Sequence, residues 1–486
     1  MNIVFVPLYI KYIGIEAYGL IGLFAVMQTW LSLLDMGTAS TLNREMGRFT
    51  GGAQSPGFIR DLLRSVEAMV VIIACLITFG IWASAGWLAS EWLQAEDLPV
   101  ATVEQALSIM GVVFGLQFVS GIYRSSLIGL QKQVLFNAIN AASATIRGLG
   151  ALAVLAWFSP TIEAFVIWQL VIAGLTFLIL MVSTYACLPA INRRGRLSLQ
   201  TLKQIGGYAG GALGIAFLSL LLTQIDKVLL SRLLTLSEYG HYMLAFLVAS
   251  GLSILLLPIV QTWFPRLSQL HAGNDNSALI KAYHEGAQLV SVIVGSATVA
   301  LIIFAEDILW LWTQNEELAK AASGLVRVLA FGNLLNSFLT MPYLVQLAYG
   351  WTGFALRVNA LSVALIVPAI FWAVPEFGAM GAAWIWVGLN VGYMSVGAYF
   401  MYRRILTAEK WRWYRNDIAY PMLSASAMAG LLLLIIPETN SHWIRLIEII
   451  LASCMILVSA ACGAPNILKL VYSSIFLNRR QEVMSS

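Results

Sequence analysis

The chain has 486 residues, of which 59% are hydrophobic and only 11% charged, with a mean hydropathy of +0.81. A soluble protein carries roughly 25% charged residues to cover its surface, so a water-soluble enzyme or nucleic-acid-binding protein is excluded. The formal net charge of +4 decides little, because in a membrane protein the side on which the charges lie matters more than their sum.

An apolar stub, "NIVFVPLYI", opens the chain and is too short to span a bilayer. Apolar runs long enough for a hydrocarbon core about 30 Å thick follow at 17–40, 66–90, 105–130, 134–158, 162–188, 205–233, 238–263, 284–312, 321–349, 354–374, 379–402, 416–437 and 443–464. A β-barrel would need segments of about ten residues alternating with period two, a pattern the sequence lacks. These runs predict an all-α polytopic membrane protein of about 14 helices, the first truncated.

The gaps between runs alternate in character. Those around 41–65, 190–204, 264–283 and 403–415 are rich in Lys and Arg and are expected to be loops; those around 91–104, 306–317 and 376 carry mostly acids. With Arg147, Lys227 and Arg327 set aside as lying within runs, and Arg124 counted at its helix end with the basic side, 25 basic residues remain, and only Lys11, Arg232, Lys320 and Arg445 fall on the acidic side. The basic side is therefore expected to be cytoplasmic, together with a C-terminus that carries Arg479 and Arg480.

The chain also repeats itself. "AYGLIGLF" at 17 is echoed by "EYGHYMLAF" at 238, so Tyr18 and Gly19 map onto Tyr239 and Gly240, an offset of 221. Gly129 maps onto Gly350 at the same offset, and Trp168 onto Trp386 at 218. Six helices per copy return the chain to one side, so the copies are expected to be parallel repeats about an axis along the membrane normal. The expected division is a lobe at 1–200, a second at 201–405, and two further helices with a cytoplasmic tail at 406–486. At the same offset the first helix lacks about 16 residues found in its counterpart, which is expected to reflect a start codon assigned too far downstream.

The opening segment, "VPLYIKYIGIEAYGLIGLFAVMQTWLSLLDMGTASTLNREMGR", resembles the signature of polysaccharide-biosynthesis flippases, within the superfamily that includes multidrug exporters and the lipid II flippase. Its marks are Pro7, Gly14, Glu16, Tyr18, Gly19, Asp35, Gly37 and Arg44, and "QIDKVLLSRLLTLSEYGHY" resembles the same region of the second lobe. The resemblance implies two six-helix lobes around a central cavity opened alternately to either side. It implies a bacterial inner-membrane protein with no cofactor, whose partners are a lipid-linked oligosaccharide, membrane lipids, and a polysaccharide polymerase and chain-length regulator.

Polar residues inside the runs are the candidates for chemistry. Arg147 lies near the middle of its run, too deep to snorkel easily. It must face protein or a water-filled cavity, either as a structural salt bridge or as an anion site for the pyrophosphate of the implied cargo. Arg124, Lys227, Arg327, Asn333 and Asn336 are further substrate-binding candidates, with lipid contact or snorkelling the alternative for the cations. For the amides, together with Gln28, Gln117, Asn140 and Asn390, the alternative is helix–helix glue. Asp226 is a candidate ion-coupling site. Asp35 falls near the cytoplasmic boundary, either pairing with loop cations such as Arg44 and Arg48 or gating the lobes. The Trp-rich segments 82–92, 310–312 and 411–413 read as interfacial belts.

Cys75, Cys187, Cys454 and Cys462 read as small apolar helix residues. The histidines at 241, 271, 284 and 442 are scattered over loops and helix starts without metal-ligand spacing. No P-loop appears, so transport is expected to draw on an ion gradient, the membrane potential or the cargo gradient. The favoured function is a lipid-linked oligosaccharide flippase, and the second is an ion-coupled multidrug or cation antiporter. A membrane polymerase or glycosyltransferase is disfavoured, because no expected external loop exceeds about 20 residues.

Overall fold

The structure is a computed structural model that describes residues 2–189, 217–218, 220–436 and 441–469. It is helical throughout: among the described residues the β pairing is a single bridge between Gln94 and Thr235. The chain forms two compact units, Met1–Gly240 and His241–Ser486.

The first unit contains α1 (Asn2–Thr50), α2 (Pro56–Trp87, continued by a π-turn at Leu88–Trp92), α3 (Val100–Gly129), α4 (Gln133–Trp157), α5 (Ile162–Cys187) and α6 (220–233). Small polar residues start these helices where the sequence requires it. Ser55 accepts the Phe58 N–H with Pro56 in the first turn, and Thr161 accepts the Ala164 N–H, each satisfying an otherwise orphaned donor. In α1 the helix breaks at Gly14, whose φ of 82° only glycine adopts without strain. Leu42, Met46, Ile59, Leu62, Val66, Ile122 and Leu127 form the core at the end where α1, α2 and α3 meet.

The second unit runs through α7 (Leu236–Ser250, its first turn belonging to unit one), α8 (Leu256–Ala272), α9 (Asn276–Val290), α10 (Ser296–Ile303), α11 (Ala305–Thr313) and α12 (Glu316–Phe338). It continues through α13 (Thr340–Ala348), α14 (Thr352–Gly392), α15 (Ala398–Arg404), α16 (Lys410–Arg412), α17 (Tyr420–Ile435) and α18 (His442–Cys462). Three π-turns interrupt it, at Ser291–Gly295, Tyr393–Gly397 and Trp413–Ala419. Where α10, α17 and α18 pack, Ala425, Ala429, Ala452 and Ala460 are buried; such small side chains let helix backbones approach in lipid.

Eleven helical stretches among the described residues are long and apolar enough to cross a membrane. One of them, Leu356–Arg404, would measure about 74 Å if straight, more than twice a bilayer core. It breaks at Gly378, with φ 58°, into two stretches each long enough for one pass. The expected run at 205–233 lies largely outside the described residues.

Two of the expected basic loops are mostly helix. α1 continues to Thr50 and α2 begins at Pro56, leaving a short turn within 41–65. α8 reaches Ala272 and α9 starts after an Asp275 cap, leaving only a tight turn within 264–283. Hydropathy reports where lipid ends, not where the helix ends. Beyond the apolar run, pairs such as Arg48 with Glu45 at 3.3 Å support a solvated helix.

Candidate functional site

Arg147 sits in α4, fourteen positions from its first residue and ten from its last, or about 21 Å and 15 Å along the axis. α1 and α5 hold its surroundings. The Tyr9 hydroxyl donates to the Gly148 carbonyl at 3.3 Å, and the Trp168 indole N–H donates to the Arg147 carbonyl at 3.2 Å. Phe5 lies directly over Gly148, where a Cβ would overlap its ring. The backbone of Arg147 is thus tied down, and its side chain is not. Its Nε is buried without a hydrogen-bond partner, and the guanidinium forms no ion pair among the described residues. The residue is half-buried, and a cation drawn partly out of water without a counter-charge is unfavourable. A guanidinium held in this way is suited to grip an anion through its planar fork.

The other sequence candidates fall into separate places. Lys227 is 2% exposed, and its Nζ donates to the Thr223 carbonyl at 2.8 Å and to Asp226 at 3.1 Å. The snorkelling alternative does not hold for it, because the side chain turns inward to the carboxylate beside it. The structure thus joins a proposed substrate cation to a proposed ion-coupling acid. Arg327 is exposed and donates to the Ile302 carbonyl at 3.2 Å. Arg124 is exposed on α3. Asn333 accepts from the Trp386 indole at 2.9 Å, and Asn336 donates to Asn390 at 2.8 Å, so both join α12 to the second half of α14. Asp35 lies in α1, and its side chain falls outside the described residues.

The motif residue Glu16 has a structural task. It is 4% exposed and accepts the backbone N–H groups of Glu96, Asp97 and Leu98 at 2.7, 2.9 and 3.2 Å. One carboxylate thus fixes the loop between α2 and α3.

Sequence reasoning missed a heavily bonded polar cluster of the second unit. His284 is not at a helix start but two turns into α9, fully buried. Its Nδ1 contacts Asp417 and its Nε2 lies 2.9 Å from Glu409. Gln288 donates to Asp417 at 3.0 Å and accepts the Asn466 N–H at 2.9 Å. The two ring nitrogens engage different carboxylates, which makes His284 a bridge from α9 to the turn before α16, through Glu409, and to the π-turn after it, through Asp417. Trp413 also departs from the expected interfacial belt: it is fully buried between Tyr402 and Tyr414, whereas Trp411 is 75% exposed. In the first unit, Glu67 accepts from Tyr185 at 2.7 Å and pairs with Arg64 at 3.2 Å. Apart from the rings beside Trp413 and the Arg64–Glu67 pair, these partners are more than a hundred residues apart, and no local pattern announces them.

The fold defines a multi-pass helical membrane protein with the architecture of solved transporters. The lipid II flippase MurJ in an inward closed conformation superposes with a TM-score of 0.70 at 12% identity, over 95% of this chain and 96% of that one. An inward-facing multidrug resistance MATE family transporter of the MOP superfamily gives 0.63 at 14% identity, over 84% and 94%. The family described as "Polysaccharide biosynthesis protein" matches residues 13–314, well over half of the sequence, and the chain belongs to that family. Among curated proteins, the uncharacterized membrane protein EpsK of Bacillus subtilis (strain 168) is 23% identical over 381 residues, 75% of this chain and 70% of EpsK.

Proposed function

We propose that the protein flips an undecaprenyl-pyrophosphate-linked oligosaccharide, an O-antigen or exopolysaccharide repeat unit, from the cytoplasmic to the external leaflet by alternating access. The observation that carries this reading is the Arg147 guanidinium, held mid-helix without an ion pair among the described residues, in a chain of the polysaccharide-biosynthesis family. A pyrophosphate is the anion such a fork suits. The protein would reside in the bacterial inner membrane with its C-terminus in the cytoplasm, and would hand its cargo to a polymerase and chain-length regulator.

The likeness to a multidrug transporter supports a second reading, an ion-coupled drug or cation antiporter. That chemistry calls for a free carboxylate, and Asp226 is engaged by Lys227. Complementation separates the two. Expression in a strain lacking its own repeat-unit flippase restores surface polysaccharide under the first reading. Under the second, surface polysaccharide stays absent while resistance to cationic drugs rises.

A further inference from the structure

Within the second unit, a cavity of about 350 Å³ lies among α8, α12, α13, α14 and the π-turn at Tyr393. That volume is within the range of small-ligand pockets. Its walls include the amides of Asn336, Gln346 and Asn359, the hydroxyl of Thr340 and the rings of Phe354 and Tyr393. No charged side chain is among the lining residues.

Two of these groups have no internal purpose. Gln346 is only 9% exposed, yet neither it nor Asn359 forms a hydrogen bond among the described residues. An apolar occupant such as an acyl chain would cut these amides off from water without replacing their hydrogen bonds, which is unfavourable. Asn336 gives one of its two amide hydrogens to Asn390 and keeps its carbonyl oxygen. Tyr393 donates to Ser362 at 2.8 Å, which fixes its ring. Phe354 is stacked on Trp351, with ring centroids 4.5 Å apart, so an aromatic face is held rigid beside the amides.

We infer that this cavity is a binding subsite for a neutral sugar of the transported glycan. Several amides offer paired donors and acceptors to hydroxyl groups, an aromatic face covers the C–H side of a pyranose ring, and the lack of charge disfavours both a cationic drug and a pyrophosphate. The cavity lies close to the turn at Gly350, where Arg404 sits 4.8 Å from the Trp351 ring, on the side expected to face the cytoplasm. This inference rests on the flippase reading and adds to it the part of the chain that senses the sugars.

The test compares two host strains whose lipid-linked precursors share lipid and pyrophosphate but differ in their sugars. Exposure of each precursor is read with a membrane-impermeant oxidant of vicinal diols, alongside protein abundance in the membrane. Gln346→Leu and Asn359→Leu are expected to insert at normal levels and to change the ratio of the two exports by about fivefold or more. Arg147→Ala lowers both exports together. Equal scaling of the two exports by the cavity variants, or no loss at all, would mean a water-filled scaffold cavity and would overturn the inference. Where the leucine variants fail to accumulate, Gln346→Asn and Asn359→Gln, which keep the amide and move it, provide the same ratio. If the unaltered protein exposes neither precursor, the flippase reading itself fails.

Discussion

Gly19 and Gly240, the paired glycines of the two "YG" motifs, face each other across a contact with no room for a side chain. A Cβ on Gly19 would lie closer than 3.0 Å to the Leu236 carbonyl oxygen, and one on Gly240 equally close to the Ile15 carbonyl oxygen. The obstructing atoms are backbone, so neither can swing aside. Gly19→Ala and Gly240→Ala are each expected to destabilise by about 1–3 kcal/mol, as overpacking does. Thermal unfolding of the detergent-solubilised protein checks this, and a midpoint unchanged in both variants would contradict the contact.

The bridge from His284 to Asp417 makes a double-mutant prediction. Removing one member of a buried, bonded pair costs about 3–5 kcal/mol, whereas replacing both with apolar groups often costs far less. His284→Leu and Asp417→Leu should therefore each lower abundance and thermal stability, and the double variant should recover part of the loss. Strictly additive losses would show that the two side chains act independently.

Arg147 separates a ligand contact from a structural one. Arg147→Ala is expected to accumulate normally and to reduce surface glycan at least tenfold. Arg147→Lys should rescue only in part, because an ammonium keeps the charge and loses the bidentate geometry. Full export by an abundant Arg147→Ala protein would remove the anion site from the mechanism.

Orientation is checked by reporters. Fusions after Gly273 or Gly350 should be cytoplasmic, and fusions after Glu96 or Gln314 external. A single fusion on the opposite side would break the order of passes.

Glu16→Gln should loosen the loop at 96–98. The variant keeps the shape and loses a charge-assisted acceptor of three N–H groups, a class of bond worth about 1.5–3 kcal/mol. Faster amide exchange at Glu96, Asp97 and Leu98 is the direct readout.

What could be read from the sequence was what lipid selects. The apolar runs and the Tyr18–Gly19 echo at Tyr239–Gly240 depend on local composition and on a constant offset, and where the structure describes those runs it carries them as helices. Arg147 stood out because a cation in the middle of an apolar run is costly wherever the chain folds. The helical extensions to Thr50 and Ala272 were not legible, since a charged segment outside lipid can be loop or helix with equal hydropathy. Nor was the role of His284, whose partners at Glu409 and Asp417 lie 125 and 133 positions away. The inward turn of Lys227 depends on the packing around α6, which composition cannot specify.

The π-turns at Ser291–Gly295, Tyr393–Gly397 and Trp413–Ala419 carry a consequence for how this chain tolerates length change. Each holds one more residue than an α-helical turn would, so the helix on either side differs in phase by about 100°. One turn follows Gln288, one contains Asp417, and one lines the amide cavity. Deleting a single residue within Ser291–Gly295 would restore an unbroken α-helix and rotate His284 and Gln288 away from Asp417, while leaving the hydropathy of the segment almost untouched. Deleting a residue from an exposed turn, such as that at Gly273, would rotate nothing in the core. The same loss of one residue is thus severe or mild according to whether it falls on one of these stored insertions.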